Sequence, residues 1–297
     1  MKVLQIGVPK SGNFWLYQIL EEIFKRSGNL QPSFIQQHPI HELARNWELN
    51  YPTQADIDMV NITDLQVIYR ISSIFQMPIE DFSKYIQKTN HVWTHSPICS
   101  KSEEIFRFFD RKVYIIRDPR DVVISASKYY CSDYMLKYFP QQESDPKKFL
   151  QQNLDQLLYK WVWHVWDHLR LRKKFNIHIS FFEGFKMEFQ KELSLLLQYL
   201  DIELSSEEKN ELEQAVSFKE LKKENPKHLK KGESGYWMEQ LTEYQVKKTN
   251  LITGPLLKYL GYPEREEKMQ FSRELPSCDF EKLKNEIIAS QEQLRHF

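Results

Sequence analysis

Glycine is scarce in this chain, 8 of 297 residues, and no stretch is rich in Pro, Gly and Ser together. Such stretches make the flexible linkers that mark domain boundaries, so one domain over residues 1–297 is expected. Net charge is missing too: 41 Lys plus Arg balance 41 Asp plus Glu. A protein that binds nucleic acid by neutralising phosphates needs a basic surplus, so no nucleic-acid partner is expected. Cysteine is limited to Cys99, Cys131 and Cys278. Three widely spaced thiols make neither a disulfide framework nor a zinc site, and no metal is expected. No apolar run reaches the ~20 residues that span a bilayer, and mean hydropathy is −0.59. Lys10 and Asn13 interrupt the start of the chain where a signal peptide would be apolar. The expectation is a cytoplasmic protein with no membrane partner.

What is present is an alternation of strands and helices. Val3 to Val8 is a buried-strand pattern, broken by Pro9 to Asn13. Trp15, Leu16, Ile19, Leu20, Ile23 and Phe24 then recur at helical spacing. His91 to His95, Lys112 to Ile116 and Ile177 to Phe182 read as further strands. Helices are expected over Glu103 to Phe109, from Pro119, over Lys148 to Lys174 and over Phe189 to Tyr199. Ser205 with Glu208 is a capping-box signature for one more. The alternation implies an α/β fold with a central parallel sheet and helices on both faces.

Ligands of such sheets bind at the carboxyl ends of strands, beside helix N-termini, and three segments fall there. The first is Val8-Pro9-Lys10-Ser11-Gly12-Asn13-Phe14-Trp15. Gly12 permits close backbone approach, the helix start offers N–H groups to an anion, and Lys10 adds a mobile charge. It resembles a phosphate loop without the Gly-Lys-Ser/Thr of Walker A, so magnesium-dependent nucleotide hydrolysis is not supported. The second is Arg117-Asp118-Pro119-Arg120-Asp121-Val122-Val123-Ile124-Ser125, with Arg117 at a strand end and Ser125 about two turns into a helix. A guanidinium fork plus a hydroxyl suits a second phosphate, while Arg120 reads as a surface residue paired with Asp118 or Asp121. The third is the polar loop Lys230-Lys231-Gly232.

Taken together these segments resemble the sulfotransferases that use 3′-phosphoadenosine-5′-phosphosulfate (PAPS). Further matches are Thr94-His95-Ser96-Pro97, Phe181-Phe182-Glu183 and Ser217 to Pro226, so the likeness runs in order from Val3 to about Tyr262. It leaves a charged tail over about 264–297. The resemblance implies a P-loop-like α/β domain that moves a sulfuryl group from PAPS to a hydroxyl or amine of a small organic acceptor. Lys10 would contact the phosphosulfate, and Ser11, Gly12, Asn13 and Phe14 would cradle the 5′-phosphate. Trp15 and Phe218 would sandwich adenine, with Phe182 beside the adenosine and Ser217 near the base. Arg117, Ser125, Lys230, Lys231 and Gly232 would hold the 3′-phosphate, and His95 would be the general base.

The chain departs from the family pattern at several places. The usual Thr-Thr after the loop glycine is Asn13-Phe14, and the Lys two residues before the catalytic His is Trp93. The Tyr beside adenosine is Phe182, and Arg-Lys-Gly is Lys230-Lys231-Gly232. The short dimer motif of the cytosolic animal branch is absent around Trp237 to Lys247, so dimerisation by that route is not expected. A divergent small-molecule branch is implied, with a bacterial one among the options. Two other readings stay open: a P-loop-type kinase, and a non-catalytic nucleotide-binding protein. Acceptor loops are expected in Gln31 to Tyr85, Cys131 to Pro146 and Lys222 to Trp237, where the pattern is weakest.

Overall fold

The structure is a computed structural model that describes residues 1–224, 234–263 and 275–296. The longer helices in chain order are α1 (Asn13–Arg26), α2 (Pro119–Tyr130), α3 (Pro146–Phe175), α4 (Phe189–Leu200), α5 (Ser206–Ala215), α6 (Phe218–Glu224), α7 (Glu243–Leu260) and α8 (Phe280–Glu292). The strands are β1 (Val3–Gly7), β2 (Met59–Ile62), β3 (Val67–Ile71), β4 (Phe75–Pro78), β5 (His91–Thr94), β6 (Arg111–Ile116) and β7 (Ile177–Phe181). The chain divides into two compact units. One is Met1–Ile116, Lys137–Phe139 and Leu171–Gly232, and the other is Arg117–Leu136, Pro140–Arg170 and Glu233–Phe297.

The first unit holds one seven-stranded sheet in the order β4-β3-β2-β5-β1-β6-β7. Strands β2, β5, β1, β6 and β7 are parallel neighbours, whereas β2-β3 and β3-β4 are antiparallel. The sheet is therefore mixed, with an antiparallel edge on a parallel centre. Burial separates the two parts. Strand β1 is buried at every position, as a strand covered on both faces must be, while β3 alternates buried and half-buried. Leu16, Ile19, Leu20, Ile23 and Phe24 of α1 pack with Val113 and Ile115 of β6 and with Leu193, Leu196, Leu197 and Leu200 of α4. Both capping-box bonds of α5 are present, between Ser205 and Glu208.

The second unit is helical. The inner stripe of α3 (Leu154, Leu158, Trp161, Val165, Leu169) is buried as its spacing implies. Helix α7 contains Pro255, which has no N–H to give the carbonyl of Leu251. Ser290 of α8 donates to that carbonyl at 2.7 Å, and Gln291 donates to Ile252 O at 3.2 Å. The described part of the charged tail is thus a helix docked where α7 lacks its own hydrogen bond.

Candidate active site

The anion loop of the first unit lies between the end of β1 and the start of α1. The N–H of Ser11 donates to Val8 O at 3.2 Å, which closes the turn, and Leu16 N donates to Gly12 O at 3.0 Å, which opens the helix. Gly12 is the N-cap at φ +90, and a Cβ there would lie 2.4 Å from Cδ2 of Phe182. The position therefore excludes a side chain by conformation and by space. Lys10 sits at φ 74, a left-handed conformation that costs an L-residue energy and that gathers at functional loops. No side chain caps α1, so its first N–H groups present the positive end of the helix dipole at the loop. Ser11 is fully buried, and its hydroxyl has no hydrogen-bond partner among the described residues. An uncapped helix start, a neighbouring ammonium and a partnerless buried hydroxyl form a donor set that fits a phosphate or phosphosulfate.

Asn13 and Phe14, the departures from Thr-Thr, have definite work here. The Asn13 amide donates to Val8 O at 2.7 Å and braces the two ends of the loop. The Phe14 ring meets Tyr51 edge-on at 4.8 Å. With Tyr17, Ile57 and Trp93 these two rings make a buried hydrophobic cluster.

His95 follows β5 directly. Its Nδ1 lies 2.6 Å from Gly7 O, so that nitrogen donates and the ring is held in the tautomer with its lone pair on Nε2. Strand pairing Ile6↔Thr94 aligns the ends of β1 and β5. His95 and the anion loop are therefore fixed to the same residue, Gly7. Trp93, where the family carries Lys, meets the His95 ring edge-on at 5.3 Å.

Trp15, Phe182 and Phe218 lie near one another. Trp15 donates from Nε1 to Val216 O at 2.8 Å, which fixes its ring against the segment leading to Ser217 and Phe218. Phe182 is buried beneath Gly12 and lies 5.4 Å from Trp15. Lys186 Nζ stands 5.9 Å from the ring centroids of both Trp15 and Phe218, so a cation and two aromatic faces share one place. The Ser217 hydroxyl accepts from Glu220 N at 3.3 Å and so braces the start of α6.

In the second unit, Arg117 is 9% exposed, and its Nη2 lies 3.9 Å from Asp121 Oδ2. Its carbonyl accepts from Trp161 Nε1 at 3.2 Å. Ser125 is half-buried on α2. Arg120 differs from the sequence expectation: it pairs with Asp118, but it is wholly buried. Its Nε and Nη2 bond the Asp118 carboxylate at 2.9, 3.1 and 2.7 Å, and its guanidinium lies 3.9 Å from the Trp237 ring centroid. Asp121 accepts from Gly235 N at 2.8 Å and Trp237 N at 2.9 Å. Burial pushes its carboxyl up to about 6, against the pull of Arg117 and these N–H groups. The acidic residues of this motif thus tie down the chain just after Lys230, Lys231 and Gly232, which lie outside the described residues. Sequence reading missed this role of Asp121 and the Arg120–Trp237 stack. The signal was charge placed on the buried stripe of α2.

Comparison with known proteins agrees with this geometry. Residues 1–270 match the family described as Sulfotransferase domain. Sulfotransferase 2A1 of Macaca fascicularis is 25% identical over 82% of this chain and 80% of its own length. The 3-beta-hydroxysteroid sulfotransferase of Cavia porcellus is 24% identical over 88% of this chain and 85% of its own. Among solved structures, mouse sulfotransferase SULT7A1 complexed with PAP superposes with a TM-score of 0.55 at 19% identity, covering 85% of this chain and 82% of that one. Retinol dehydratase in a complex with retinol and PAP gives 0.56 at 16%, covering 91% and 83%. At such identities the superpositions establish the shared fold. Among the described residues no helix is long and apolar enough to cross a membrane. The family match over most of its length, and the ordered motifs on a mostly parallel α/β sheet, make this chain a member of the sulfotransferase domain family, an enzyme of the sulfuryl-transfer class.

Proposed function

We propose that the protein transfers the sulfuryl group of PAPS to a hydroxyl or amine of a small organic acceptor and releases adenosine 3′,5′-bisphosphate. The observation that carries this reading is the joint anchoring of His95 and the anion loop on Gly7. It brings a histidine ring and the loop to adjoining strand ends, which supports the base and anion roles that an in-line transfer requires. PAPS, when bound, supplies an activated sulfur with a phosphate as leaving group. Lys10 and the start of α1 hold that phosphate and offset the charge that grows on the released oxygen. His95 Nε2 takes the acceptor proton as the acceptor atom bonds to sulfur and the old S–O bond breaks. Trp15 and Phe218 bracket the adenine, with Phe182 supporting the loop beside it and Ser217 near the base. Arg117 and Ser125, with Lys230, Lys231 and Gly232, hold the 3′-phosphate, whose binding energy orients a reacting group remote from it. The whole chain works as one sulfotransferase domain in the cytoplasm. The relatives' printed acceptors, a 3-beta-hydroxysteroid and retinol, support a small organic acceptor. Incubation with sulfur-labelled PAPS and a panel of phenols, alcohols and amines tests this. Labelled product that depends on His95 is expected, and no transfer to any acceptor with the donor bound would overturn it.

A further inference from the structure

Gln5 is a polar residue at the centre of the most buried strand, wholly inaccessible. Its Nε2 donates to Asn13 O, the first carbonyl of α1, at 2.7 Å. An amide whose nitrogen faces a carbonyl must turn its oxygen the other way, and Gln5 Oε1 lies 3.3 Å from His91 Nε2. That ring nitrogen therefore has to donate. On the other side of the ring, His91 Nδ1 lies 2.7 Å from Glu21 Oε1. An ionised carboxylate only accepts, so with Glu21 ionised this nitrogen donates as well. A neutral imidazole has one N–H, and beside an ionised Glu21 the arrangement calls for two.

We propose that His91 is a buried imidazolium, paired with Glu21, that positions the anion loop. It is a positioning residue, since it reaches the loop only through Gln5 and Asn13. Its Nε2–H fixes the Gln5 amide, and Gln5 fixes the first turn of α1. Asn13 then carries the constraint to the far end of the loop through its own bond to Val8 O. If the Nε2–H were lost, the Gln5 amide could turn over, and its oxygen would oppose the Asn13 carbonyl. The ring is held in place by stacking on Tyr17, with centroids 4.6 Å apart and planes 15° apart, and by the edge contact with Phe24 at 5.6 Å. Asn13, Tyr17, Glu21 and Phe24 share the face of α1 turned to the sheet, so one helix face carries the relay from Glu21 to the loop. The ion pair is buried at its cationic end and half-buried at its anionic end, with side-chain exposures of 4% and 28%. The proposal concerns the same loop as the donor reading above, and the functional part rests on that reading.

Two measurements on the full-length protein test it. With ¹⁵N-labelled histidine, the His91 ring, assigned by its loss in His91→Gln, is expected to show protons on both nitrogens at neutral pH. Glu21→Gln is expected to convert it to the singly protonated form. A neutral ring in the unaltered protein would overturn the proposal. Calorimetric binding of adenosine 3′,5′-bisphosphate is the second readout. His91→Gln and Glu21→Gln are each expected to weaken it about tenfold, the effect of one lost buried charge-assisted bond. Unchanged affinity in both variants would overturn the positioning role. If His91→Gln does not fold, Glu21→Gln, which keeps the ring in place, serves for both readouts. Absence of bisphosphate binding by the unaltered protein would refute the donor reading instead, and the ring spectrum would still decide the state of His91.

Discussion

At the scale of single residues, Gly7 has more consequence than its size suggests. Its carbonyl holds His95, and its missing side chain admits Asn13: a Cβ would lie 2.3 Å from Asn13 Oδ1 and 2.8 Å from Ile115 Cγ2. Gly7→Ala is therefore expected to cost about 1–3 kcal/mol in denaturant unfolding and to weaken bisphosphate binding. Wild-type stability together with wild-type affinity would contradict this packing. His95→Ala removes the proposed proton acceptor together with its bond to Gly7 O. It should leave bisphosphate affinity intact and lower turnover by about 10²-fold or more, and undiminished turnover would remove His95 as the base. His95 and Lys10 were legible in the sequence as candidates because each sits in a short motif with a chemical requirement. His91 was not. Nothing local marks a histidine as charged, and its role appears only once parallel pairing sets β1 beside β5 and brings Gln5 within reach. The polar Gln5 inside Val3-Leu4-Gln5-Ile6 was the trace that the sequence carried.

At the scale of elements, hydrophobic period and capping chemistry located β1, β5, β6, β7 and α1 to α5 within a few residues, since each carries its own signal. The strands β2, β3 and β4, on one side of the sheet, were missed inside the segment expected to be loop. They are short and carry polar residues such as Asn61, Arg70 and Gln76, and antiparallel pairing with each other defines them more than any local pattern. The α7–α8 contact was equally invisible, because a proline inside a helix gives no hint of which distant residue will meet the freed carbonyl. That contact is testable. Ser290→Ala should destabilise the protein by about 1 kcal/mol. In a Pro255→Ala background, where residue 255 can bond Leu251 itself, the loss should shrink. Equal losses in both backgrounds would show that Ser290 does not compensate for the proline.

At the scale of the whole molecule, the charge balance of the sequence conceals buried groups whose titration is coupled to folding. Asp58 is 1% exposed, and burial pushes its carboxyl up to about 7, although Thr89 and the N–H groups of Phe34 and Ile35 pull it down. Between about pH 4 and pH 7 the folded protein keeps a proton that the unfolded chain has released. Asp58 therefore favours the folded state most at the acid end, and that contribution is lost as pH rises through 7. Asp58→Asn has no such dependence. Its melting temperature relative to the unaltered protein should shift upward between pH 5.5 and pH 8, and a constant difference would contradict the raised value.

The central claim is that this fold holds a 3′,5′-bisphosphorylated adenosine, and thermal denaturation in the presence of adenosine 3′,5′-bisphosphate tests it most directly, with ATP plus magnesium as comparator. A ligand at 100 times its Kd stabilises the state that binds it by about 2.7 kcal/mol. The account predicts a clear rise in melting temperature with the bisphosphate and little with magnesium ATP. Stabilisation by magnesium ATP alone, or by neither ligand, would contradict it.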